Sequence, residues 1–112
     1  MKILITAATA FEIAELQAHL DKHFIKAGPH RYQRGEIQIA LLITGVGLPM
    51  AAYAMGKVIG ADEWNLAVNA GIAGSLDPEL QIGSVVQVVS ERYADLGVQE
   101  ADGSFTDVHE LG

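Results

Sequence analysis

Three apolar runs in this chain feed directly into turns of small residues, and that repeated junction constrains the fold more than any other feature. Lys2 to Ala7 leads into Ala8-Thr9, with Glu12 just beyond at the start of a predicted helix. Ile37 to Thr44 leads into Gly45-Val46-Gly47, and Leu66 to Ala70 into Gly71-Ile72-Ala73-Gly74-Ser75. Short, nearly uncharged runs of this kind are the pattern of strands buried on both faces of a parallel sheet. Three such strand ends meet along one sheet edge, where open α/β proteins place their ligands. Glycines there let main-chain N–H groups approach a ligand, and a lone carboxylate beside them can serve as a base.

The connecting segments fit an α/β alternation. Ile13, Leu16, Leu20 and Phe24 recur at three- and four-residue spacing, opposite Glu12, Glu15, His19 and Lys22, which predicts an amphipathic helix from Thr9 to about His23. Gly28-Pro29 breaks it, and Arg31 to Glu36 reads as a hairpin arm turning at Gly35. Leu48 to Ile59 predicts a second helix, with Pro49 in its first turn and Gly60 as its cap. Ala51, Ala52, Ala54 and Gly56 make that helix small-sided, able to lie close to the sheet. Ser84 to Val89 predicts a fourth strand, while the tail from Glu91 to Gly112 shows no clear period. The expected fold is α/β: a three-layer sandwich around a mixed, mostly parallel sheet, with residues 1–112 forming part of a single domain.

Charge and composition exclude several function classes. Seven Lys+Arg against fourteen Asp+Glu give a net charge of −7, with no basic cluster. Nucleic acid and anionic membrane surfaces are therefore poor partners. The chain has no cysteine, hence no disulfide framework and no thiolate metal site, which fits a reducing, cytoplasmic setting. Met1 to Ile5 is too short an apolar run for a membrane span.

Each candidate residue carries two readings. Glu12 can close a capping box with Thr9, reaching back to the Thr9 amide. It can also be a general base whose pKa is raised by apolar neighbours such as Ala8 and Phe11. The pair Gly45/Gly47 resembles the start of a dinucleotide fingerprint, but Met50 stands where the third glycine belongs, so no nicotinamide or flavin cofactor is expected. Gly71 to Gly74 is neither a phosphate-binding loop nor a nucleophile elbow, and Ser75 has no evident histidine partner. His19 and His23 stand at i, i+4, a spacing that can hold a metal, but no third ligand follows and no metal is expected. Arg92, Tyr93 and Asp95 either approach the pocket or form a surface salt link.

Taken in order, Lys2-Ile3-Leu4-Ile5, Phe11-Glu12-Ile13, Ile43-Thr44-Gly45-Val46-Gly47, Asn69 to Ser75, Ile82 to Val86 and Glu91-Arg92-Tyr93 resemble the N-terminal half of the purine nucleoside phosphorylase/nucleosidase superfamily. Within it, Asn69-Ala70-Gly71-Ile72-Ala73-Gly74-Ser75, Asp95-Leu96-Gly97 and His109-Glu110-Leu111-Gly112 are most similar to the futalosine hydrolase family of the alternative menaquinone pathway. The related methylthioadenosine/S-adenosylhomocysteine nucleosidases typically carry serine where this chain has Ile72.

The resemblance implies hydrolysis of the N-glycosidic bond of a purine nucleoside. Glu12 would activate water, while Ala8, Val46, Ile72, Ala73 and Gly74 would line the ribose and base. It also implies a homo-oligomer and no cofactor. A phosphate nucleophile would have to approach the Glu12 carboxylate, and like charges repel. Members of the family run to roughly twice this length, the usual size of a full α/β domain. The expectation is thus a truncated or proteolysed piece lacking the leaving-group acid. A non-catalytic module that binds a nucleoside or a partner is the alternative from another class.

Overall fold

The computed structural model describes residues 1–93 and 95–111. The chain divides into two compact units, Met1–Gly74 and Ser75–Gly112.

The first unit is built on a five-stranded sheet in the order β2-β3-β4-β1-β5. Its strands are β1 (Lys2–Ala7), β2 (Ile25–Gly28), β3 (Arg31–Arg34), β4 (Ile37–Ile43) and β5 (Leu66–Asn69), with helices α1 (Ala14–His23) and α2 (Leu48–Ile59) between them. β1 pairs in parallel with β4, from Lys2 opposite Gln38 to Ala7 opposite Ile43. On its other side β1 pairs in parallel with β5, from Ile3 opposite Leu66 to Thr6 opposite Asn69. β2, β3 and β4 form an antiparallel meander. The sheet is therefore mixed, with antiparallel pairings as numerous as parallel ones, rather than mostly parallel. The predicted break at Gly28-Pro29 is the turn of the β2–β3 hairpin, where Gly28 (φ 146°) and His30 (φ 53°) take positive φ.

The core lies between α1 and one sheet face. Ile13 and Leu20 bury against Ala7, Tyr32, Ile39 and Leu41, with Ile3, Ile5, Leu16, Phe24 and Ala70 around them. The apolar stripe read from the sequence is thus the stripe that packs. The helix itself begins later than its periodicity suggests: Thr9 to Ile13 form turns, and Ile13 is the N-cap with no side-chain hydrogen bond. Glu15 in the first turn and Lys22 and His23 in the last complement the helix dipole. α1 is tied to the meander by Asp21, whose Oδ1 accepts from the Tyr32 hydroxyl at 3.0 Å and from Lys26 Nζ at 2.9 Å.

Two expectations fail for want of a partner strand. β5 was expected to be buried, but it is an outer strand, and Leu66 and Val68 stay partly exposed. In the second unit, Ser84 to Val89 forms no ladder, and Val85 and Val89 are almost fully exposed. β-Branched residues favour strands chiefly through packing and pairing with neighbours, which this segment lacks among the described residues. The aperiodic tail instead holds a small hairpin of β6 (Gly97–Gln99) and β7 (Phe105–Asp107). The last position of that tail, Gly112, lies outside the described residues. α2 matches its predicted limits, but it buries none of its residues fully, so its small side chains do not produce the close packing expected of them. No described helix is long and apolar enough to cross a membrane.

Leu20 is 2% exposed at the centre of the α1 interface. Leu20→Ala is expected to lower the unfolding free energy by about 2–5 kcal/mol in a denaturant titration. The Asp21 carboxyl is held below its ordinary value, first by the Lys26 hydrogen bond and then by that of Tyr32. A carboxyl depressed by folding stabilises above its unfolded pKa and loses that contribution as pH falls through the folded value. Thermal midpoints should therefore drop on acidification below the usual aspartate range, and Asp21→Asn should flatten that part of the curve.

Candidate functional site

The C-terminal ends of β1, β4 and β5 are joined by main-chain bonds that continue past the strands. Thr44 N donates to Ala7 O at 2.9 Å, Gly45 N to Ala8 O at 3.1 Å, and Ala70 N to Thr6 O at 2.7 Å. The Thr44 hydroxyl, buried beneath the turn, also reaches Ala7 O at 3.3 Å. Three turns consequently emerge at one edge: Ala8 to Ile13, Thr44 to Gly47, and Ala70 to Gly74. Gly45 (φ 84°) and Gly47 (φ 97°) hold positive φ there, which glycine adopts without steric cost.

Glu12 is the charged group on which two of these turns converge. Its Oε2 accepts from Thr9 N at 2.7 Å and from the Thr9 hydroxyl at 3.2 Å. Its Oε1 accepts from Ile72 N, sixty residues away, at 3.4 Å. Gly71 passes so close that a Cβ there would lie 3.5 Å from Oε1. The reach from Glu12 to the Thr9 amide is half of the expected capping box. The other half is absent, because Thr9 does not cap α1 and its hydroxyl donates to the carboxylate instead.

These donors overturn the expected direction of the Glu12 pKa. The Thr9 N–H lowers it most, burial opposes with a smaller upward push, and the Ile72 N–H and Thr9 hydroxyl lower it further. Hydrogen bonds to the charged form favour that form. Phe11, expected to supply an apolar wall, is 81% exposed. The carboxylate is therefore ionised at neutral pH and presented at the sheet edge.

Among the predicted lining residues, Ala8 and Ile72 belong to this cluster by direct hydrogen bonding of their own turns. Val46 follows Gly45 on the neighbouring turn with an exposed side chain. Ala73 and Gly74 continue the Ile72 turn, also exposed. Of the residues left open between pocket and surface, Arg92 pairs with Asp107 at 3.1 Å and Glu110 at 3.8 Å, and Tyr93 stacks on His109 within the second unit. His19 and His23 have ring centroids 4.4 Å apart, and the described residues contain no group of three candidate metal ligands.

A family model described as the phosphorylase superfamily matches residues 2–108. The chain belongs to the phosphorylase superfamily. A futalosine hydrolase of Streptomyces coelicolor is 39% identical over 77 residues, covering 64% of this chain and 32% of that protein. The chain thus spans about a third of the length of that relative. No solved structure matches significantly.

Seen as a superfamily member, the chain presents its candidate site as an open edge rather than an enclosed pocket. Cavities of about 230 and 310 Å³ lie elsewhere in the first unit, around Lys2, Arg31 and Trp64 and around Ile59, Asn65 and Leu66. Neither is lined by Glu12, Val46 or Ile72, and geometry of hydrogen bonding rather than cavity size locates the candidate site. Thr9, expected only as the helix-capping partner of Glu12, serves the carboxylate with both its N–H and its hydroxyl. Its three-residue spacing from Glu12 was the available signal.

Gly71→Ala tests how closely the β5 turn covers the carboxylate. A methyl at 3.5 Å is an ordinary van der Waals contact, so the fold should persist. The methyl displaces solvent from Oε1, and desolvation disfavours the charged form. The Glu12 titration midpoint, followed by its side-chain carboxyl carbon resonance, should rise.

Proposed function

We propose that the chain carries the water-activating part of a nucleosidase site that hydrolyses the N-glycosidic bond of a purine nucleoside, with futalosine as substrate. The observation that carries this reading is the Glu12 carboxylate, which accepts main-chain N–H groups from two turns at one edge of the sheet. Membership of the phosphorylase superfamily and similarity to a futalosine hydrolase support it.

The chemistry suits a low-pKa carboxylate. As the bond from C1′ to the purine nitrogen breaks, its electron pair moves into the base and positive charge builds on the ribose. A fixed anion beneath the sugar stabilises that charge. Water then bonds to C1′, becomes strongly acidic as it does so, and gives its proton to Glu12. A weak base suffices at that late stage. A phosphate nucleophile would meet the Glu12 anion, so water is the nucleophile in this reading. Ala8, Val46, Ile72, Ala73 and Gly74 line the sugar and base. No metal or organic cofactor enters the reaction so written. The reading extends to a three-layer arrangement of the sheet, supported by its two crossovers, β1 to β4 and β4 to β5, which run in opposite directions across the sheet. It extends also to a cytoplasmic homo-oligomer.

The test is hypoxanthine release from futalosine by the protein expressed from its natural reading frame, without added phosphate. Glu12→Gln should lower the rate by roughly 10²–10⁴-fold while the thermal midpoint stays close to that of the parent. Full activity of Glu12→Gln, or a strict need for phosphate, would refute the reading. Adenine release from methylthioadenosine at a comparable rate would move the substrate assignment to that nucleoside, and futalosine binding without turnover would favour a binding module.

A further inference from the structure

The last rung between β1 and β5 is doubled. Beside the main-chain bond from Ala70 N to Thr6 O, the Thr6 hydroxyl donates to the Asn69 side-chain carbonyl oxygen at 3.1 Å. Thr6 is 4% exposed, and a hydroxyl withdrawn from water needs a protein partner. Asn69 is that partner. Beyond it come only Ala70 and Gly71 before Ile72, whose N–H meets Glu12. Neither alanine nor glycine has a polar side chain to fix this turn, so Asn69 is the last residue of the β5 segment before Ile72 with a side-chain hydrogen bond to the sheet.

We propose that Thr6 and Asn69 are a positioning pair, whose hydrogen bond anchors the end of β5 and so keeps the Ile72 N–H on the Glu12 carboxylate. The pair touches neither the carboxylate nor a reacting atom, and it acts through the two residues of backbone that follow Asn69. Its structural consequence is independent of the reaction, while its catalytic consequence rests on the nucleosidase reading above. The segments at this edge of the sheet are Ala8 to Ile13, Thr44 to Leu48 and Ala70 to Gly74. None carries another titratable side chain. Changes in Glu12 titration therefore report its hydrogen bonds rather than a neighbouring charge.

The experiment follows the Glu12 carboxyl carbon and the Ile72 amide by NMR across the acid range, in the parent protein and in Thr6→Val. Valine keeps the shape of threonine and removes the donor. In the parent, the Ile72 amide shift should track the Glu12 titration. In Thr6→Val that tracking should weaken and the Glu12 midpoint should rise, while Thr6→Ser restores both. Asn69→Ala, at an exposed position, should reproduce the effect and guards against misfolding of the buried variant. An Ile72 amide that ignores Glu12 in the parent would overturn the proposal. So would a Thr6→Val protein that loses thermal stability with both signals unchanged, since the tie would then be structural only. In turnover assays, Thr6→Val should lower kcat by up to about 100-fold with little change in KM. If Glu12→Gln keeps full activity the nucleosidase reading fails, and the NMR result still decides the positioning role on its own.

Discussion

The position of β1 between two parallel partners is the constraint on which the rest of the first unit depends. Its pairing with β4 and β5 places three strand ends at one level, and the main-chain bonds of Thr44, Gly45 and Ala70 carry that alignment past the strands. Glu12 then needs no pocket of its own. It sits one short turn beyond β1, and the β5 turn arrives with an amide directed at it. A register shift of one residue would turn every side chain of β1 to the opposite face, separating Ala7 from the α1 core and Thr6 from Asn69.

The charge state of Glu12 follows from the same alignment. An apolar niche would have favoured a protonated acid. The turns instead offer N–H groups, and the carboxyl responds by ionising more readily. That distinction separates a proton donor from a fixed anion, and it is the fixed anion that suits chemistry in which positive charge develops on a sugar. Glycine at position 71 belongs to this arrangement, since it lets the backbone of the β5 turn pass close to the carboxylate.

Much of this was legible in the sequence because the signals were local. Runs such as Lys2 to Ala7 declared strands, the Ile13/Leu16/Leu20/Phe24 spacing declared the buried stripe of α1, and Pro49 and Gly60 bracketed α2. What failed was whatever depended on a distant partner. Ser84 to Val89 has strong strand composition, yet composition does not supply the opposing N–H and C=O groups that make a ladder. The β2 strand was hidden because Ile25 to Gly28 is too short to show a period and is recruited by β3. The direction of the Glu12 pKa could not be read from Ala8 and Phe11, because hydrogen bonds from Thr9 and from the backbone of Ile72 decide it.

The placement of β1 also orders the assembly of the sheet in time. β2, β3 and β4 are consecutive and joined by short turns, so their meander closes small loops. β1 must instead find β4 some thirty-six positions later and β5 some sixty-three positions later. Loop-closure entropy rises with such separations, and contacts of long sequence range form more slowly. Among the described residues β5 pairs only with β1, so β1 settles against β4 first and the docking of β5 closes the sheet. The edge that bears Glu12 is completed at that moment and not before.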